Sequence, residues 1–409
     1  MLSRIRRQRT PNDKSFLVLF FKKELLPSWT FPMPPKLIQI PVFLAALYGW
    51  LIFATSFTHP GAIGPDYNTP GTDFMVFHGG ITVALKHDLR LLFDADGFTD
   101  YLNQRYHDRL TTPLAFRPWI YPPSFLLFLL PIATLPFLPA LLLFQAITAG
   151  LLAAALCAGR NRWPGAIWLA VLVLVSPAAS VTVLWGQAAF LTCAVLVGGF
   201  RLLPRHGVLA GVVLGILSVK PQHALLVPVA LVALRAWPTL ISAAVTAIAL
   251  VVLSAAIFGA DIWIDWIAAA RHFATIEIVW DSSLHTCLKF LGASRPVIVT
   301  AELAALAGGA VLVYLVFRRA RSETVRLAVL LATGNLAAPH TGPYDTLMLL
   351  LAAGLVLLDP RRVQPLLAWT LGLCLWMLPF IGQPVISPAA RFAPLLTLVL
   401  IVWLARTAL

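Results

Sequence analysis

Polar stretches interrupt a chain otherwise rich in aliphatic residues. "PGTDFMVFHGG" (70–80) carries Asp73 and His78, and "WGQ" (185–187) carries Gln187. "SVKPQH" (218–223) groups Lys220, Gln222 and His223, and "APHTGPYD" (338–345) supplies His340, Tyr344 and Asp345. "FRPWIYPPS" (116–124) holds Arg117 and Tyr121 among prolines. A carboxylate such as Asp73 can take the proton of a hydroxyl nucleophile. Lysine and histidine can hold a phosphate leaving group as its negative charge grows. Phosphate leaves without needing an acid, so one base and several cations suffice. The chain has no HExxH and no dense carboxylate cluster, and Asp66, Asp73 and Asp88 are too scattered for a metal cage. Neither a metal nor a separate cofactor is expected.

These residues must be positioned by membrane helices. Hydrophobic residues make up 59% of the chain and charged ones 11%, against roughly a quarter charged in soluble domains. Mean hydropathy is +0.85. Apolar runs of about 20 residues, enough to span a bilayer as a helix, recur from Pro41 to Trp403. They are continuous Leu, Ala, Val and Ile rather than ten-residue alternations, which argues against a β-barrel. The expected fold is an all-α polytopic membrane protein of about 11–13 spans.

The net charge of +13 does not point to nucleic acid. Its basic residues sit in short groups between apolar runs, "RIRRQR" (4–9), "GRNRW" (159–163), "FRRARSE" (317–323) and "DPRR" (359–362), a pattern that reports orientation. Cys157, Cys193, Cys287 and Cys374 are far apart, form no CxxC pair, and read as inert thiols. Residues 1–38 read as a basic cytoplasmic segment, and 39–409 as one transmembrane domain. Within it, 59–118 is the first outer loop, with helices along the outer membrane face, and 259–296 the second. The stretch 119–158 requires an odd number of crossings. Either one piece of it is re-entrant, or the arginines of "GRNRW" lie outside. The threading brings the polar motifs to one outer end of the bundle.

Each motif has a plainer reading. Asp73 could cap a helix, Gln187 could join two helices, and Lys220 could snorkel to the interface. His340 could cap a helix C-terminus, and "FRPWIYPPS" could be an aromatic belt. Polar groups beside hydrocarbon are costly, and their convergence on one face favours a site. A transporter or flippase for a lipid-linked sugar would instead place ionisable groups near helix centres and repeat broken helices in two halves. A structural subunit of the cell envelope would be inactive alone. His78 is a rival base, but five residues along a helix turn it well off the face of Asp73.

The ordered set "DFMVFHGG", "YPPSFLLFLLPIATLP", "WGQAAFLT", "SVKPQHALLVP" and "APHTGPYDTLMLL" resembles glycosyltransferase family 87, over about 40–360. The resemblance implies the GT-C membrane fold and transfer of a sugar, mannose foremost, from a polyprenyl-phosphate donor to a lipid or glycan acceptor. It implies inversion by direct displacement at the periplasmic face of a bacterial inner membrane, in contact with membrane lipids. Asp73 matches the first-loop acid, the general base, and Lys220 and His340 match positions that bind donor phosphate. Gln222 and His223 are helpers, with Gln187, Arg117, Tyr121, Tyr344, Asp345 and His78 as further substrate-binding candidates.

Overall fold

The computed structural model describes residues 35–58, 70–158, 163, 165–273, 281–359, 361–362, 364–381 and 392–409. The expected basic N-terminal segment lies outside them, as do the arginines of "GRNRW". No strand occurs among the described residues, and the chain is an all-α polytopic membrane protein.

Helices form along the uninterrupted Leu, Ala and Val runs and stop where proline, glycine or a polar motif intervenes. Helix α1 (Lys36–Thr58) is followed by α2 (Thr72–Leu85), α3 (Leu89–Phe93), α4 (Ala95–Arg105) and α5 (Phe125–Leu129). Next come α6 (Phe137–Cys157), α7 (Ala166–Val175), α8 (Pro177–Trp185), α9 (Ala189–Leu202), α10 (Gly207–Gly215) and α11 (Val227–Ala233). The remainder are α12 (Trp237–Phe258), α13 (Asp261–Phe273), α14 (Leu284–Phe290), α15 (Arg295–Arg319), α16 (Glu323–Ala337), α17 (Thr346–Leu357), α18 (Leu366–Ile381) and α19 (Ala393–Ala408).

Among the described residues, α1, α6, α12 and α15 are long and apolar enough to cross a membrane. The pair α7–α8, bent by 52°, makes a fifth. Pro177 starts α8 at a position where its missing N–H is harmless, and the Ser176 hydroxyl accepts from Ala179 N–H at 3.1 Å. The other apolar helices run 10–17 residues, so fewer helices span at full length than the hydropathy suggests. The polar motifs are the reason. The apolar stretch from Gly207 to Ala233 is broken at Lys220, where two short 3₁₀ turns replace the helix. In 119–158 only α6 reaches spanning length. Helix α5 and the 3₁₀ turn Leu130–Ile132 together rise about 14 Å, which fits the re-entrant alternative.

Helix α6 packs on α9, α10 on α12, α16 on α15, α17 and α19, and α1 on α8 and α18. Helix α12 turns Ile241, Val245, Ile248 and Val252 outward as an exposed apolar stripe for lipid. Helix α2, expected on the membrane surface, is instead a core helix, with Phe74, Met75, Phe77 and Ile81 buried. Gly80 makes this packing close: a Cβ there would meet the Trp119 ring at 2.4 Å.

Candidate active site

Asp73 sits in the first turn of α2. It does not cap the helix: Gly71 occupies the cap position in the left-handed region, at φ 88°. The carboxylate therefore has its own partners. Its Oδ2 accepts from Gln187 Nε2 at 2.7 Å, and its Oδ1 lies 3.5 Å from Arg117 Nε.

The "WGQ" motif brings Gln187 there for a geometric reason. Gly186 ends α8 in the left-handed region at φ 77°, where glycine is favoured. A Cβ on Gly186 would lie 2.4 Å from the Cβ of Phe74, so only glycine lets this turn close on α2. Gln187 Oε1 then accepts from the Tyr121 hydroxyl at 2.9 Å, and Gln145 Nε2 donates to the Gln187 carbonyl at 3.0 Å. Asp73, Gln187, Tyr121 and Gln145 thus form one chain of hydrogen bonds from four separate parts of the sequence, buried except at Asp73.

Lys220 lies between two 3₁₀ turns, out of helical conformation. Its Nζ donates to Asp345 Oδ1 at 2.6 Å and stands 5.2 Å from the centroid of the Tyr344 ring. His223 Nε2 lies 3.4 Å from the same Asp345 oxygen. Asp345 Oδ2 accepts from Gly342 N–H at 3.0 Å, and Asn335 Nδ2 donates to the Asp345 carbonyl at 3.3 Å. Tyr121 and Lys220 line one small cavity, and the Tyr344 ring lies 6.0 Å from the ring of Trp185 beside Gln187. The two clusters are therefore neighbours. Gln222 is half-buried beside Lys220 and makes no side-chain hydrogen bond among the described residues.

His340 donates from, or accepts at, Nδ1 to Asp281 Oδ2 at 3.1 Å, according to its tautomer. Asp281 Oδ1 also accepts from the Ser283 hydroxyl at 3.0 Å and from the Thr286 hydroxyl. With a carboxylate on Nδ1, the His340 Nε2 is left for a ligand. Its side chain is 44% exposed, and it lines a cavity of about 190 Å³ with Pro118, Trp119 and Phe273.

His78 stands apart from the site. It is buried, with Nδ1 2.7 Å from the Tyr106 hydroxyl and Nε2 2.9 Å from the Leu135 carbonyl oxygen. Both nitrogens are used to fix α2 against the chain before α6. Burial, the largest influence, holds this imidazole below its usual pKa.

Burial also raises the Asp73 carboxyl above its ordinary value of 3.8, and the Arg117 charge and the Gln187 hydrogen bond offset this only in part. A half-buried carboxylate with a raised pKa and an exposed edge is suited to taking a proton. Among the described residues no three His, Cys, Asp or Glu side chains gather to hold a metal ion.

Three participants carry weaker sequence signals. Gln145 is an amide inside an apolar span, a placement that by itself marks a site. Asn335 sits near the end of an apolar helix. Asp281, in "WDSSLHT" (280–286), is legible only as an acid beside hydroxyl residues.

A family model described as glycosyltransferase family 87 matches residues 119–339, more than half of the chain. The match contains Tyr121, Gln187, Lys220, Gln222 and His223, while Asp73, Arg117, His340, Tyr344 and Asp345 lie outside it. No curated protein and no solved structure matches the chain.

Proposed function

The chain belongs to glycosyltransferase family 87, and from that premise we propose that it moves a sugar, mannose foremost, from a polyprenyl-phosphate donor to a hydroxyl of a lipid or glycan acceptor. It is a multi-pass membrane glycosyltransferase of GT-C type. The observation that carries the finer reading is Asp73, a carboxylate of raised pKa set between an amide and an arginine.

In the proposed step, Asp73 takes the proton of the acceptor hydroxyl as its oxygen bonds to the sugar's anomeric carbon. The bond from that carbon to the phosphate oxygen breaks, and its electron pair leaves with the polyprenyl phosphate. Attack opposite the leaving group inverts the carbon, with no covalent enzyme intermediate. Lys220 is almost fully buried and already paired with Asp345. Arg117 and His340, with side chains 28% and 44% exposed, are better placed to meet the phosphate oxygens. Lys220 then holds Asp345 and Tyr344 behind them. Arginine-rich turns at the opposite end of the bundle favour the cytoplasm, which supports the reading that Asp73 faces the periplasm of an inner membrane. Cysteines at the positions of Asp73 and Arg319 should label from opposite sides.

The test is to incubate purified protein with labelled polyprenyl-phosphate mannose and a cell lipid extract. A labelled lipid or glycan product is expected. Labelled donor left untouched, while another lipid-linked sugar is consumed, would overturn the choice of donor sugar. Wild-type turnover by Asp73→Asn would overturn the base.

A further inference from the structure

The helices that carry the site also build a second cavity at their other ends. Gln187 precedes α9, whose far end bears Phe200. Lys220 follows α10, which begins at Gly207. Asn335 lies in α16, which begins with Glu323. At 1.5 Å per residue these separations are about 15–20 Å. The second cavity, of about 470 Å³, is walled by apolar side chains including Trp163, Phe200, Leu234 and Phe317, and it carries two charged residues, Glu323 and Arg326.

Among the described residues neither charge has an ion-pair partner. Residues three apart on a helix are spaced to pair, yet no ion pair joins Glu323 and Arg326 among the described residues, and the buried Arg326 Nε has no hydrogen-bond partner. A guanidinium offers five donors in a fixed fork, and a buried N–H without an acceptor is costly. Neighbouring arginines differ in this respect. Arg201 donates to the carbonyls of Ala155 at 2.9 Å and Ala158 at 2.6 Å and stacks over Trp163, while Arg318 donates to the Ala233 carbonyl at 3.4 Å. The helix dipole gives Glu323 a reason to occupy the first turn of α16. It gives none for an arginine one turn on with an unmatched donor.

We propose that this cavity binds a membrane phospholipid whose headgroup carries both a phosphate and a primary ammonium. The phosphate meets Arg326, the ammonium turns toward Glu323 at the exposed mouth, and an acyl chain lies along the aromatic wall. Basic pockets between membrane helices are known receptors for lipid phosphates. The acid at the mouth selects a zwitterion over a purely anionic lipid. The assignment does not depend on the sugar donor proposed above.

The test is native mass spectrometry of the full protein, equilibrated in nanodiscs of equal phosphatidylethanolamine and phosphatidylglycerol with identical chains. The wild type should retain the ethanolamine lipid in about threefold preference, the effect of one solvent-exposed ion pair. Glu323→Gln should erase that preference. Arg326→Gln should lower retention of both lipids by about tenfold, as loss of a charge-assisted hydrogen bond does. Arg361→Gln, an exposed change at the same end, should do neither. Preferential retention of the glycerol lipid by the wild type would overturn the proposal, as would variants indistinguishable from it. Should Arg326→Gln fail to fold, Glu323→Gln carries the test alone.

Discussion

The two ends of the helix bundle use charge in opposite ways. At the end bearing Asp73, basic side chains meet carboxylates held inside the protein: Lys220 on Asp345 at 2.6 Å with both groups buried, and the part-exposed His340 on Asp281 at 3.1 Å and Arg117 beside Asp73 at 3.5 Å. At the other end, arginines close helix ends. Arg201 covers the last carbonyls of α6, and Arg361 and Arg362 converge on Asp359 at 3.0 and 3.5 Å, Arg361 with 68% of its side chain exposed. Removing a partner from a buried pair strands a charge where water cannot reach it. Removing the exposed Arg361 side chain leaves the Asp359 carboxylate with Arg362 and the Arg361 N–H as partners. The first kind of charge is obligatory, and the second is replaceable.

Substitutions at the two ends separate these roles, and the largest effect should come from Asp73→Asn. It keeps the shape of the side chain and should lower transfer by about 10²–10⁴-fold while the protein still folds and binds donor. Parallel turnover and donor-binding measurements check this. His78→Asn, which breaks the contacts to Tyr106 and Leu135, should lower stability by about 1–3 kcal/mol and retain transfer. The reverse pattern would move the base to His78.

Next in size is Lys220→Met, which leaves Asp345 buried without its cation and should cost about 3–5 kcal/mol, read as a lowered unfolding midpoint in detergent. Adding Asp345→Asn should recover most of that loss. A double variant as unstable as the single one would show that the pair is not the source.

A smaller effect should appear in the pH profile of transfer. Protonated Asp73 cannot act as a base, so the rate falls as pH drops through its pKa. Burial sets that pKa above 3.8, and Arg117 holds it down. Arg117→Gln should therefore move the acid limb of log kcat/KM to higher pH. A limb that stays in place or moves down would detach Arg117 from Asp73.

The smallest effect belongs to the basic end. Arg361→Gln should change stability by less than about 0.5 kcal/mol and leave turnover within experimental error. A large loss of transfer would mean that the two ends are energetically coupled.

Much of the site was legible because its residues are expensive where they stand. Lysine, histidine and glutamine at the edges of apolar helices need a reason to be there, and "WGQ", "SVKPQH" and "APHTGPYD" do converge. Pairing was not legible. Lys220 and Asp345 are 125 residues apart, and His340 and Asp281 are 59 apart, so nothing local shows that the cations arrive already partnered. Asp73 is compatible by residue type with a helix cap, and only the left-handed Gly71 two residues earlier releases it from that role. The all-α class followed from composition. The number of full-length spans did not, because hydropathy counts apolar residues and ignores where a turn at Lys220 divides them.

Those divided helices set the depth of the chemistry. The apolar helices ending near the site, 189–202, 207–219, 221–233 and 343–357, have 13–15 residues each. That is roughly 20 Å of helix, against about 30 Å of hydrocarbon. Helix α6 continues about 12 Å past Gln145, from that residue to its start at Phe137. Helices of this length match a bilayer thinner than the usual hydrocarbon core. Thinning carries an elastic cost that grows with the thickness of the surrounding membrane. On the proposed reaction, a lipid phosphate would reach Asp73 with less distortion in a thin membrane than in a thick one. Transfer in vesicles of increasing acyl-chain length should slow as the chains lengthen. A rate indifferent to chain length would mean that water, not lipid, fills the space above Asp73.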